Sequence, residues 1–214
     1  MPLPHSPRQR VCFNSGWRFF RGDAPDAGKL LEREHLLRWQ LPTSADLIEH
    51  AATRPERPRA EPHPELSFIQ PSFDDSRWRE LSLPHDWGIE GPFDRMLAGE
   101  TGKLPWAGVG WYRKTFPLSR KCEGSLLELH LDGAMSHATV WLNGTCVGGW
   151  VYGYTSFKVD LTPAARFGKP NVLAVRLDNP DASSRWYPGS GLYRNTWLVK
   201  TSPLRFRHDG VFVS

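Results

Sequence analysis

Leu127-Glu128-Leu129-His130-Leu131 leads through Asp132-Gly133-Ala134-Met135-Ser136-His137-Ala138-Thr139 to Val140-Trp141-Leu142-Asn143-Gly144. The first five residues alternate leucine with polar side chains, which places one face in a core and the other toward water, the pattern of a half-buried strand. Val140 and Leu142 repeat the period on the next strand. Asn143-Gly144 then supplies a two-residue hairpin turn, because a type I′ turn needs positive φ at both central positions; nothing beyond a turn is expected of it.

Working outward, the same alternation recurs in Phe157, Val159 and Leu161, in Leu173, Val175 and Leu177, and in a last strand between Leu192 and Lys200. Short strands at this spacing, with turn signals between them, predict an all-β sandwich. Residues 9–23 read as a short strand entered through Asn14-Ser15-Gly16. Residues 24–70 differ in texture: Leu30, Leu31, Leu36 and Leu37 have helical spacing, Asp46 to Ala52 could add a turn or two, and Arg54 to Pro64 holds four prolines among charges. This stretch predicts a partly helical, Pro-rich insertion, because its apolar residues are too few for a core of their own.

A chain of 214 residues can hold one sizeable core. Apolar content of 39% and mean hydropathy of −0.49 fit a soluble globular protein. No run approaches the roughly 20 apolar residues of a membrane span, and no signal peptide is readable. A cytoplasmic location follows as the expectation, with periplasm or secretion if the true start lies upstream. The net charge of +4 is scattered, and the densest basic cluster, Arg54 to Arg59, is interleaved with Pro and Glu, which argues against a nucleic-acid groove. Cys12, Cys122 and Cys146 form neither a metal knuckle nor a disulfide framework. A Cys122–Cys146 bridge in an oxidising compartment is one option, and buried free thiols are the favoured one. No metal site and no cofactor are expected.

The segment Ser183-Ser-Arg-Trp-Tyr-Pro-Gly-Ser-Gly-Leu-Tyr-Arg194 combines rigid aromatics with cations and glycines. Trp and Tyr offer stacking faces with a polar tip, and Arg offers forked donors to oxygen. A sugar is one ligand of that kind. A tight turn whose aromatics cap the core is the other reading of the same residues.

Several motifs stand in order along the chain: Phe13-Asn14-Ser15-Gly16-Trp17-Arg18-Phe19; Phe73-Asp74-Asp75-Ser76-Arg77-Trp78 with Leu83-Pro84-His85-Asp86-Trp87; Gly108-Val109-Gly110-Trp111-Tyr112-Arg113; Leu131 to Gly144; Gly153-Tyr154-Thr155-Ser156-Phe157; and the 183–194 loop. This succession resembles the N-terminal sugar-binding domain of glycoside hydrolase family 2, particularly bacterial β-galactosidases. The resemblance implies a jelly-roll β-sandwich, galactose-binding-domain-like, over residues 9–204. Residues 1–8 are then a disordered N-terminus, and 205–214 begin a linker toward an immunoglobulin-like domain.

It also implies that the catalytic glutamates lie in a (β/α)8 barrel outside this chain. No catalytic residue is expected here, and the partners are a carbohydrate and that barrel. Two loops would wall the sugar subsite, with Asp94 and Trp106 in the segment 91–110 and Arg185, Trp186 and Tyr187 in the second loop. Some relatives carry a substrate- or ion-contacting Asp where this chain has Arg185, and a cation there argues against sodium coordination. Asp86 and Asp178 are expected to cap turns, His85 and His137 to be structural, and Arg194 either to pair with Asp132 or Asp178 or, equally, to contact the ligand. Trp17, Trp78, Trp111, Trp141 and Trp197 are expected in the core or between sheets. A stand-alone carbohydrate-binding module is the alternative function, and a ligand-free structural domain would leave Arg185, Trp186 and Tyr187 unexplained.

Overall fold

Strand alternation yields ten strands in the computed structural model, which describes residues 8–48, 50–206, 211 and 213. They are β1 (Arg8–Cys12), β2 (Trp17–Arg21), β3 (Arg79–Leu81), β4 (Gly108–Pro117), β5 (Leu126–Leu131), β6 (Ala138–Leu142), β7 (Thr145–Trp150), β8 (Phe157–Asp160), β9 (Pro170–Asn179) and β10 (Thr196–Thr201), with one α-helix, α1 (Arg33–Gln40). Two sheets result, in the orders β1-β10-β5-β8 and β3-β2-β4-β9-β6-β7. Every strand pairing in them is antiparallel. The all-β sandwich is therefore present. The stretch 9–23 is two strands rather than one, and the Asn14-Ser15-Gly16 turn carries the chain from the first sheet to the second.

Between the sheets, Leu127, Leu129 and Leu131 of β5 meet Trp17, Phe19, Tyr112, Val140, Leu142, Leu173, Val175 and Leu177 from the six-stranded sheet. The β6–β7 turn has the expected positive φ, 54° at Asn143 and 87° at Gly144. Asn143 does more than turn the chain. Its Nδ2 donates to the Ala164 carbonyl and to Asn171 Oδ1, both at 2.8 Å, and its Oδ1 accepts the Val172 N–H at 2.9 Å.

All five residues of β6 are buried, so this strand has no wet face. On the side away from β5, Trp141 stacks on Trp111 with ring centroids 5.5 Å apart. Leu31, Leu36, Trp39, Leu66, Phe68, Ile69 and Trp78 cover them. Trp111 and Trp141 thus lie beneath the excursion and not between the sheets. Trp197 is half-buried, with Arg10 over its ring at 3.7 Å. Within the excursion the helical pattern breaks into 3-10 turns at 28–31, 41–47 and 51–53 around the two turns of α1, and Pro42 sits where α1 would otherwise continue.

Two arginines share that covered face. Arg113 is 1% exposed; its Nε donates to Asp75 at 2.8 Å, and its remaining donors meet the carbonyls of Phe68, Gln70 and Phe73. Arg176 lies 2.6 Å from Asp23, which also accepts the Trp111 indole N–H at 2.9 Å. The cysteines are free, but only Cys146 is buried, with its thiol pushed up to about 12 by desolvation; Cys12 is exposed at the end of edge strand β1. Residues 1–7 lie outside the described residues, and Arg8 opens β1. Of 205–214, only Arg205, Phe206, Val211 and Val213 are described.

On the outer side of β5, Glu128 receives His130 at 3.0 Å and Arg205 at 2.7 Å. The His130 hydrogen bond, aided by the Arg205 charge, holds the Glu128 carboxyl down to about 2 against the opposing effect of burial. A carboxyl depressed on folding stabilises above the ordinary glutamate range, and that contribution fades as pH falls toward the folded value. Urea denaturation should therefore show stability dropping between about pH 5 and pH 2, with a shallower slope in Glu128→Gln. Asp23→Ala, which strips Arg176 of its nearest carboxylate, should cost about 3 kcal/mol in the same assay.

Candidate functional site

Where β6 begins and β7 and β9 end, three loops enclose a cleft of about 560 Å³, a volume within the usual range of ligand sites. Met135, Ser136 and His137 form one side, Val151 to Tyr154 a second, and Asn179 to Pro188 most of the third.

The 183–194 loop is fastened from behind. Asp86 Oδ1 accepts the backbone N–H of Gly88 and of Ser190, both at 2.9 Å, and the Tyr187 hydroxyl donates to the same carboxylate at 2.8–2.9 Å. Ser190 Oγ donates to the Trp106 carbonyl at 2.6 Å, and Asn179 Nδ2 reaches Gly189 O and Ser190 Oγ at 2.9 and 2.8 Å. Gly191 exchanges both backbone hydrogen bonds with Met135. Its φ is 116°, and a Cβ there would lie 2.4 Å from the Tyr112 hydroxyl, so glycine is required.

These ties split the loop. Tyr187 to Leu192 are held against the body, while Arg185 and Trp186 face the cleft. Trp186 is 61% exposed and its indole N–H donates to the Tyr154 hydroxyl at 3.1 Å. The Tyr152 ring lies 5.5 Å from that of Tyr154 and is itself exposed. His137 closes the far side with φ of 44° and its ring nitrogen 3.2 Å from Ser136 Oγ. Burial lowers its pKa, which keeps the ring neutral at physiological pH.

The five residues named from sequence do not converge. Arg185 and Trp186 line the cleft together. Tyr187 lies behind them, its hydroxyl raised in pKa first by burial and then by the Asp86 carboxylate it donates to. Trp106 is 3% exposed and supports the loop through its carbonyl. Asp94 is exposed and caps its own loop, accepting the Met96 N–H at 2.8 Å. Tyr152, Tyr154 and His137 were not named as site residues. The signal for the tyrosines was the Tyr152-Gly153-Tyr154 run, one residue beyond a strand, two rigid amphipathic rings on a turn.

Other expectations resolve locally. Asp86 is a capping carboxylate. His85 Nδ1 meets the Tyr112 hydroxyl at 2.6 Å and its Nε2 meets Glu90 at 3.1 Å, a structural arrangement. Asp178 takes Arg33 at 3.3 Å and Arg176 at 3.6 Å. Arg194 reaches neither expected carboxylate; its guanidinium points to the backbone carbonyls of Asp132 and Tyr154, both at 3.4 Å. No aspartate or glutamate lines the cleft among the described residues.

Residues 93–186 match the glycosyl hydrolase 2 galactose-binding domain-like family. A β-galactosidase of Bacteroides ovatus is 39% identical over 98% of this chain and 20% of its own length. A putative β-glucuronidase of Formosa agariphila is 37% identical over 68% of this chain and 14% of its own. Among solved structures, a family 2 glycosyl hydrolase from Bacteroides cellulosilyticus superposes with a TM-score of 0.67 at 31% identity, covering 91% of this chain and 21% of that one. The chain thus spans about a fifth of the length of the β-galactosidase it matches. With its sandwich and its ordered succession of motifs, the chain belongs to the galactose-binding-like N-terminal domains of glycoside hydrolase family 2.

Proposed function

We propose that this domain is the sugar-binding accessory module of a family 2 hydrolase that cleaves terminal β-galactosides with retention. Its cleft supplies one wall of the substrate site, and the catalytic carboxylates come from a barrel domain. The observation that carries this reading is the composition of the cleft: Trp186, Tyr152 and Tyr154 offer stacking faces, Arg185 offers donors, and no carboxylate lines it among the described residues. Retention requires two carboxyl groups about 5–5.5 Å apart across the scissile bond, so this cleft can hold a sugar without cutting it. The 39% identity to a β-galactosidase supports the galactoside. A neighbouring domain is supported by Ile89, Phe93 and Met96, which are 64, 76 and 90% exposed within eight residues of one another; such apolar surface is commonly an interaction site.

Titration of the chain with methyl β-galactoside, followed by tryptophan fluorescence and NMR shifts, tests the proposal. Binding should be saturable but no tighter than millimolar, and nitrophenyl β-galactoside should remain uncleaved. Trp186→Ala should weaken binding roughly 2- to 12-fold, the range of one aromatic contact. Asp86→Ala should also weaken it, and should speed amide exchange at Ser190 because the loop loses its anchor. Hydrolysis by the chain would overturn the proposal, and micromolar binding would instead support a stand-alone carbohydrate-binding module.

A further inference from the structure

We propose that His85 is an acid-sensitive joint built into the fold. While neutral, its ring shares Arg79 with Glu90; on gaining a proton, the ring takes Glu90 for itself and releases Arg79. The side-chain tie from β3 to the segment that carries Ile89, Phe93 and Met96 is then undone. None of these residues lines the cleft, so the inference stands apart from the sugar reading.

The neighbours of the ring decide which nitrogen carries its proton. His85 is 8% exposed, and Arg79 Nη2 lies 2.5 Å from its Nε2. A guanidinium nitrogen can only donate, so Nε2 must accept. The neutral imidazole then keeps its one proton on Nδ1, which faces the Tyr112 hydroxyl at 2.6 Å. That hydroxyl also meets the Leu192 backbone, and the His85 backbone N–H donates to the Leu192 carbonyl at 2.9 Å. With the Phe19 ring 4.5 Å away, the imidazole is held in one orientation.

The charges around the ring are arranged for an exchange of partners. Glu90 Oε1 lies 3.1 Å from Nε2 and accepts the same Arg79 Nη2 at 2.7 Å. Asp86, the next residue, is already occupied by the Gly88 and Ser190 amides and the Tyr187 hydroxyl. Tyr112 stays uncharged, because burial pushes its hydroxyl far up. A proton added at Nε2 turns that nitrogen into a donor. Arg79 then loses its acceptor and faces a like charge at close range, while Glu90 is already placed to accept from the ring. Arg79 is half exposed and β3 is a three-residue strand at the end of its sheet, so the guanidinium can leave for water.

Burial holds the ring below its ordinary 6.5, with Glu90 pulling upward and Arg79 downward. A histidine depressed on folding contributes stability above the ordinary value and loses it as pH falls toward the folded one. The joint is therefore closed at neutral pH and opens in acid.

Imidazole nitrogen and side-chain methyl NMR spectra of the chain, recorded from pH 8 down to pH 4, test the proposal. At pH 8 the His85 ring should carry its proton on Nδ1. As the ring titrates, the Arg79 Nε signal and the Ile89 and Met96 methyl signals should move with the same midpoint. Arg79→Gln should raise that midpoint and Glu90→Gln should lower it, each by about one pH unit. Both side chains are more than a third exposed, so the variants should stay folded. His85→Gln should remove the transition at Met96. A proton on Nε2 at pH 8, midpoints that do not move in opposite directions in the two variants, or an Arg79 signal unchanged while the ring titrates would each overturn the proposal.

Discussion

A buried guanidinium must find a partner for its charge, and the six-stranded sheet places two of them, Arg113 and Arg176, on a face that water does not reach. Leaving either unpaired would cost several kcal/mol. The chain answers with the excursion between β2 and β3, which brings Asp23, Asp75 and three backbone carbonyls onto that face. The apolar residues of the excursion then close over Trp111 and Trp141. An insertion without its own core is thereby made part of the domain's second core. The same ion pairs reach the ligand end of the molecule: Arg176 and Arg33 both hold Asp178, one residue before the Asn179 that fastens the cleft loop.

The cleft depends on a similar economy of anchors. One carboxylate, Asp86, fixes two backbone amides and the Tyr187 hydroxyl, so that the next residues back along the chain are directed outward. Arg185 and Trp186 are presented on a loop whose other half cannot shift without breaking those bonds. Ordering a loop before the ligand arrives lowers the entropic cost of binding. It also explains why three conspicuous residues of the sequence, Tyr187, Trp106 and Asp86, support the site without facing it.

Much of the fold was legible because strand alternation is local. Leu127, Leu129 and Leu131, the Asn143-Gly144 turn and the leucines and valines of β9 each declare their face within a few residues. The excursion was less legible. Its leucines spell a helix of about three turns, yet Pro42 and the shape of the sheet beneath divide it into α1 and 3-10 turns. The outer face of β4 and β9 was hidden for a different reason. Arginine on a strand reads as solvent-facing, and only the distant Asp23 and Asp75 reverse that reading.

For the candidate site, the sequence by itself determined the chemistry of the 183–194 loop, its aromatics, its guanidiniums and its glycines, together with the family its motifs belong to. Such features are properties of consecutive residues. Which of those side chains meet a ligand was decided only by the tertiary structure. Asp86 lies 101 residues from Tyr187 and 104 from Ser190, and its hydrogen bonds turn one ring inward while leaving its neighbour Trp186 in the cleft. Tyr152, Tyr154 and His137 join Trp186 there because β6 begins where β7 and β9 end, a placement set by sheet pairing across the chain that no local pattern encodes.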